Sequence, residues 1–179
     1  MSQEEQSTAC PAIVRDATLA DVPGLERCYD QAAHRDRILT ADGKTLRYLV
    51  VEFNREIVGF GRLATARSPA MPSAEYFPRM SNLNVREDMR RRGFASLLIR
   101  TMEDLARGMG HPRIYVGVQR DNRPALALYT KLGYQPIHTA PVQSAAGPHV
   151  PGAARRFWVI QMVKPLQTAR EDGGTDGTP

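Results

Sequence analysis

A chain of 179 residues with 42% hydrophobic content is long enough for one domain with a proper core and short for two. Its formal charge of +5, from 24 Lys+Arg against 19 Asp+Glu, suits a polyanionic ligand, but the arginines gather at residues 86 to 92 without interleaved aromatics, which argues against nucleic-acid binding. Cys10 and Cys28 offer neither a disulfide framework nor metal-ligand spacing, no apolar run could cross a bilayer, and the polar start MSQEEQSTAC is not an export signal, so the expected home is the cytoplasm.

Residues 1–10 and 167–179 are rich in Gly, Thr, Ser, Gln and acid, so they are expected to be disordered ends around a domain spanning 11–166. Ala12 to Asp16 reads as a first strand, and Thr18 to Asp21 has the spacing of a capped helix start. Leu25, Cys28, Tyr29 and Ala32 then form one apolar stripe. The segments Thr45 to Phe53 and Ile57 to Thr65, joined by Asn54-Arg55-Glu56, read as a hairpin in which Gly59 and Gly61 mark a bulge or close packing. Ala66 to Pro78 carries three prolines and reads as a loop. A strand from Met80 to Val85 follows, then a helix on which Phe94, Leu97, Leu98, Thr101, Met102 and Leu105 fall at helical spacing, stopping around Gly108 to Pro112. Ile114 to Val118 is a short buried strand, a helix runs on from Asn122, and strands lie near Tyr134 to His138 and Phe157 to Val163. A Pro/Gly/Ala-rich insertion, 139–154, separates these last two.

Chemistry concentrates at two joints. At the first, Arg90, Arg91, Arg92 and Gly93 stand between a strand and a helix. The first amides of a helix lack intrahelical partners and carry the positive end of its dipole, glycine lets an anion approach the backbone, and guanidinium forks match phosphate oxygens. At the second, Asp121 or Asn122 can cap a helix, Pro124 sits in its first turn, and Gly133 suits a left-handed C-terminal cap.

The run Arg90-x-x-Gly93-Phe94-Ala95 resembles the coenzyme A pyrophosphate loop, R/Q-x-x-G-x-G/A, of the GNAT superfamily of N-acetyltransferases. NRPALALYTKLGY matches that family's second motif, N-x-x-A-x-x-L-Y-x-K-x-G-F/Y, at Asn122, Ala125, Leu128, Tyr129, Lys131, Gly133 and Tyr134. The resemblance implies a single-domain α/β acyl-CoA N-acyltransferase fold: a mixed, mostly antiparallel sheet of about seven strands, flanked by helices, whose central parallel strands splay to receive pantetheine. It further implies acetyl-CoA as cosubstrate, held by Leu83, Asn84, Val85, Arg90, Arg91, Arg92, Gly93, Phe94, Ala95, Ser96, Asn122 and Tyr129, with an oxyanion donor near Asn84 or Val85. No metal is expected, since no His/Cys/Asp cluster has ligand spacing.

The implied reaction is attack of an amine on the thioester. An amine of pKa near 10.4 is only about one part in 2,500 neutral at pH 7, so a base or a desolvating pocket is required. Glu75 is the first candidate base and Glu52 the second, while His138 and His149 border the insertion within reach of an acceptor pocket. Local sequence reads Tyr129 as packing and the resemblance makes it the donor to the departing thiolate; Asn122 is a cap by the first reading and a cofactor contact by the second. Cys28, Phe157 and Trp158 read as core, and His34 and His111 as structural. The acceptor is a small-molecule or peptide amine, met by the loops at 34–45, 66–78 and 139–154, and the chain is expected as a monomer or homodimer away from nucleic acid and membranes. The competing reading keeps the fold and coenzyme A but drops turnover, leaving a regulatory binding module.

Overall fold

A computed structural model describes residues 11–29, 33–66, 76–143 and 156–166. Its strands are β1 (Ile13–Asp16), β2 (Leu46–Phe53), β3 (Glu56–Ala64), β4 (Arg79–Val85), β5 (Arg113–Gln119), β6 (Gln135–Gln143) and β7 (Arg156–Pro165). Its helices are α1 (Val22–Cys28), α2 (His34–Thr40), α3 (Phe94–Gly108) and α4 (Arg123–Lys131), with short 3-10 turns at Leu19–Asp21 and Glu87–Met89. The strands form one seven-stranded sheet in the order β1-β2-β3-β4-β5-β7-β6, antiparallel throughout except between β4 and β5.

The alternation of each strand builds two cores. Tyr48, Val50 and Phe60 face α1, where Leu25 and Cys28 meet them, with Ile38 of α2 packed alongside. Leu49, Val51, Val58 and Leu63 face the other way, onto Phe94, Leu98, Ile99 and Met102 of α3 and Tyr129 of α4. Leu98, Ile99 and Met102 are fully buried, each worth about 1.5–3 kcal/mol of apolar transfer. The fit of α3 depends on Gly61: a Cβ there would lie 2.7 Å from Met102 Cε and 3.2 Å from Leu98 Cδ2. Close packing is thus why glycine occupies mid-strand here.

The 310 turn before α1 is fastened by Asp21, whose carboxylate accepts from the amide and hydroxyl of Thr18 at 2.7 and 3.0 Å and from Arg15 at 2.8 Å. Arg15 also donates to Glu52, at 2.9 Å, tying β1 to β2.

Three sequence expectations need correction. Residues 34–40, assigned to a loop, form α2; His34 begins it fully buried, one ring nitrogen 2.8 Å from Tyr48 Oη and the other 2.7 Å from the Tyr29 carbonyl. The segment 139–143, assigned to the insertion, continues β6, because its backbone finds partners along β7 in spite of Pro141. Trp158, read as core, is 51% exposed: it shares the β7 face of Ile160 and Met162, but the core on that face ends at Ile160. The Phe157 side chain lies outside the described residues. No helix among the described residues is long and apolar enough to cross a membrane.

Candidate active site

The sheet opens between β4 and β5. Their parallel ladder comprises Arg79 opposite Tyr115 and Met80 opposite Val116, and then the strands part. A bulge begins the separation: Arg62 pairs with Ser81 and Phe60 with Asn84, so two residues of β4 oppose Gly61, and Asn82 takes a left-handed φ of 53°. A bulge bends its strand and sharpens its twist, turning the end of β4 away from β5.

Strand parity then decides which amides face the opening. Arg86 donates to the Val58 carbonyl at 2.8 Å, so Arg86 and Asn84 point their backbone groups at β3. Leu83 and Val85 point theirs into the gap. The Val85 carbonyl is met there by Arg90 Nε at 3.1 Å. Of the two residues named as oxyanion donors, the amide aimed into the gap is that of Val85.

At the end of β4 the chain makes the 310 turn and enters α3 through two left-handed residues, Arg91 (φ 64°) and Gly93 (φ 89°). Gly93 is the N-cap and supplies no side chain, so α3 has no capping hydrogen bond. Leu97 is the first residue of the helix whose amide reaches a helix carbonyl, that of Gly93 at 2.9 Å; the amides of Phe94, Ala95 and Ser96 are the orphans of a helix start. The space where a Gly93 Cβ would stand is empty to 4 Å. A fifteen-residue helix with an uncapped positive end and a glycine before it is a cradle for an anion. These features fit the diphosphate that the resemblance implies.

The arginines around the cradle are differently engaged. Arg86 is spent on Glu56 and Asp88, at 3.1 and 2.8 Å. Arg90 reaches back to Val85, and Arg92 lies over the Phe53 and Phe94 rings at 5.6 and 6.0 Å while donating to Met89 Sδ. Arg91 is exposed and has no partner among the described residues.

Across the gap, α4 begins with Asn122, whose Oδ1 accepts from the Ala125 amide at 3.2 Å, and ends at Gly133 with a φ of 90°. Tyr129 is 5% exposed and packs edge-on to Tyr134 at 5.3 Å. Its hydroxyl has no hydrogen-bond partner among the described residues, and burial pushes its pKa well above the ordinary phenol value. The packing reading is therefore true of the ring, and the hydroxyl is left for other use.

Glu75 and His149 lie outside the described residues. Glu52 is held by Arg15 on β2, with β3 and β4 between it and the gap, and so is not placed to act as a base there. His138 on β6 stands against Tyr76, ring centroids 5.6 Å apart, and Tyr76 stacks in turn on Tyr115 at 5.1 Å. Cys28 donates its Sγ hydrogen to the Ile57 carbonyl at 3.1 Å, and burial raises its pKa to about 11, which keeps it a thiol and not an acyl-accepting thiolate.

Two polar constellations escaped the sequence reading. Glu103, buried on α3, accepts from Tyr134 Oη at 2.9 Å and Lys164 Nζ at 2.7 Å, joining α3, the end of α4 and β7 behind the site. A signal existed: Glu103 follows Ile99 by one helical turn on the apolar face, where a carboxylate needs a partner. Arg79, half-buried at the start of β4, donates to Gln161 Oε1 at 3.0 Å; their separation of 82 residues left no sequence trace.

Comparison with known proteins agrees with this geometry. Over residues 12–134 the chain matches the model of the acetyltransferase (GNAT) family. It is 34% identical over 90 residues to an acetyltransferase of Pectobacterium atrosepticum, a match covering 50% of this chain and 58% of that protein. It is 34% identical over 58 residues to the uncharacterized N-acetyltransferase YobR of Bacillus subtilis, covering 32% of this chain and 24% of YobR, so less than two thirds of either relative is spanned. In fold it is similar to yncA of Salmonella typhimurium, solved with its cofactor acetyl-CoA, at a TM-score of 0.65 and 19% identity over 93% of this chain and 99% of that one. With its parted parallel strands, uncapped α3 and family-wide match over residues 12–134, the chain belongs to the acetyltransferase (GNAT) family.

Proposed function

We propose that the protein transfers an acetyl group from acetyl-CoA to a primary amine of a small molecule or a peptide, by direct attack of the amine on the thioester, within a domain spanning residues 11–166. The reading is supported by the β4–β5 gap beside the orphan amides of α3, and Tyr129 adds a hydroxyl without a partner among the described residues. Acetyl-CoA supplies an activated acyl group on sulfur. The amides of Phe94, Ala95 and Ser96, with Gly93 and the charges of Arg90, Arg91 and Arg92, hold the diphosphate. Leu83 and Val85 pair the tether, and the Val85 amide donates to the carbonyl oxygen as negative charge grows on it.

Tyr129 completes the site. A phenol whose pKa is raised by burial stays protonated throughout the working pH range, so it donates a hydrogen bond to the leaving sulfur without ionising. Asn122 caps α4 through Oδ1, leaving its amide nitrogen for the cofactor. Glu75, adjacent in sequence to Tyr76 on the acceptor side, is our proposed base. The competing reading, a coenzyme A-responsive module without turnover, is favoured by no particular contact.

The test is release of free thiol from acetyl-CoA in the presence of a broad panel of amines, with the acetylated amine identified by its mass. Turnover of an amine supports the proposal. Tight retention of acetyl-CoA with no thiol released by any amine would replace it with the binding-module reading.

A further inference from the structure

The two faces of the sheet differ at the gap. The cradle at α3 lies on the face that carries α3 and α4, so a cofactor threading between β4 and β5 from there leaves the opposite face for the acceptor. On that opposite face stand Arg62, Ser81 and Arg79, since Arg62 pairs with Ser81, and Arg79 shares the parity of Ser81 two residues back along β4.

Arg79 is unusual among the arginines of this chain. Its guanidinium is drawn across β5: a Cβ on Gly117 would lie 2.5 Å from Arg79 Nη2, so the missing side chain makes room for it. It is steadied by the Gln161 amide oxygen at 3.0 Å, and Gln161 is itself buried. No carboxylate neighbours it among the described residues; burial alone acts on it, drawing its pKa below the ordinary arginine value. Arg62 is in the same position, desolvated and facing the charge of Arg37, without a carboxylate partner among the described residues. Ser81, between the two, holds a buried hydroxyl without a partner among the described residues. Half-buried cations normally have an anion, because desolvation is otherwise uncompensated.

We infer that the acceptor amine bears a carboxylate or equivalent oxyanion, and that Arg79, positioned by Gln161 over Gly117, binds it. This rests on the acetyltransfer reading of the same gap. The spacing limits the acceptor further. Gly117 follows the last paired residue of β5, so the guanidinium sits at the vertex of the gap, and the carbonyl-binding amide of Val85 is a few residues further along β4, about 10 Å at a strand's rise. A charged hydrogen bond of about 2.8 Å and an attack distance of about 3 Å take up more than half of that. A short link remains between nitrogen and anion, as in a small amino acid, and a polyamine is disfavoured by two cations.

The experiment uses the full chain and matched acceptors: an amino acid, its carboxamide and its decarboxylated amine, for several side chains, read by thiol release and product mass. A charged hydrogen bond of about 1.5–3 kcal/mol corresponds to a preference of roughly 10- to 100-fold in kcat/KM for the carboxylate over its amide. Arg79→Gln is expected to abolish that preference, with acetyl-CoA affinity unchanged by calorimetry, and Arg79→Lys to retain part of it. Should Arg79→Gln not fold, Gly117→Ala displaces the guanidinium with its charge intact and is expected to cut the preference likewise. Amides or decarboxylated amines used as well as carboxylates, or a preference that survives Arg79→Gln, overturn the inference while leaving the acetyltransfer reading in place. If no amine turns over, calorimetric titration of the same pairs into the acetyl-CoA complex decides: carboxylate-selective binding lost in Arg79→Gln supports the inference, and no selectivity ends it. Wild-type protein that fails to bind acetyl-CoA at all removes both readings together.

Discussion

Replacing Lys164 by Met tests the buried link behind the site. Lys164 Nζ and Tyr134 Oη are the donors to Glu103, whose side chain is 5% exposed, while that of Lys164 is 25% exposed. Breaking a buried ion pair by removing one partner costs about 3–5 kcal/mol, and partial access of solvent to Lys164 brings the figure to the lower end, about 3 kcal/mol. For a chain of this size that lowers Tm by about 6–12 °C. Glu103→Gln removes the charge but leaves an oxygen for Tyr134, and is expected to cost about 1 kcal/mol. The double variant Glu103→Gln/Lys164→Met then lacks any stranded charge and is expected to lose only about 1–2 kcal/mol, well short of the sum. Urea unfolding followed by circular dichroism at pH 7 measures all three. A Lys164→Met loss below about 0.5 kcal/mol, or additive singles, would refute a coupled buried pair.

Three other outcomes follow from the structure. Gly93→Ala meets no clash but forces an alanine to a φ of 89°, so it is expected to cost about 1–2 kcal/mol in stability while weakening acetyl-CoA binding tenfold or more; equal affinity would take the diphosphate away from this cradle. Tyr129→Phe keeps the ring packed on Tyr134, so thermal stability should hardly change while kcat falls by more than KM for acetyl-CoA rises; unchanged kcat would reduce Tyr129 to packing. Arg15 holds the Asp21 carboxyl below its ordinary range, so its stabilisation is complete above the unfolded value near 3.9 and is lost as pH falls through the folded value. The Tm gap between wild type and Asp21→Asn should therefore be widest near neutrality and close below about pH 4; a constant gap contradicts the linkage.

Much of the local structure beside the β4–β5 gap was legible in the sequence because its determinants are local. Gly93 marks the joint of strand and helix, Asn122 and Gly133 bracket α4, and the hairpin around Asn54 and Arg55 announces itself, both residues taking positive φ. What stayed hidden depends on partners distant in sequence. The α2 helix is held by His34 reaching Tyr48 and Tyr29, with no apolar periodicity to reveal it. The extension of β6 beyond His138 through Pro141 is paired by β7, against the local signal. Arg79 was unreadable for the same reason: only the parallel register of β4 and β5 brings it over Gly117. The arginine run is uneven in a way that composition does not show: Arg90 reaches Val85 and Arg92 lies over two rings, while Arg91 is exposed.

The central claim is that an acyl-coenzyme A lies with its diphosphate at the start of α3 and its tether in the β4–β5 gap. Isothermal titration of acetyl-CoA into the folded chain tests it most directly. The account predicts saturable heat at one site per chain, reduced at least tenfold by Arg91→Glu, whose exposed position leaves stability nearly unchanged. Absence of heat with both acetyl-CoA and free coenzyme A would contradict it.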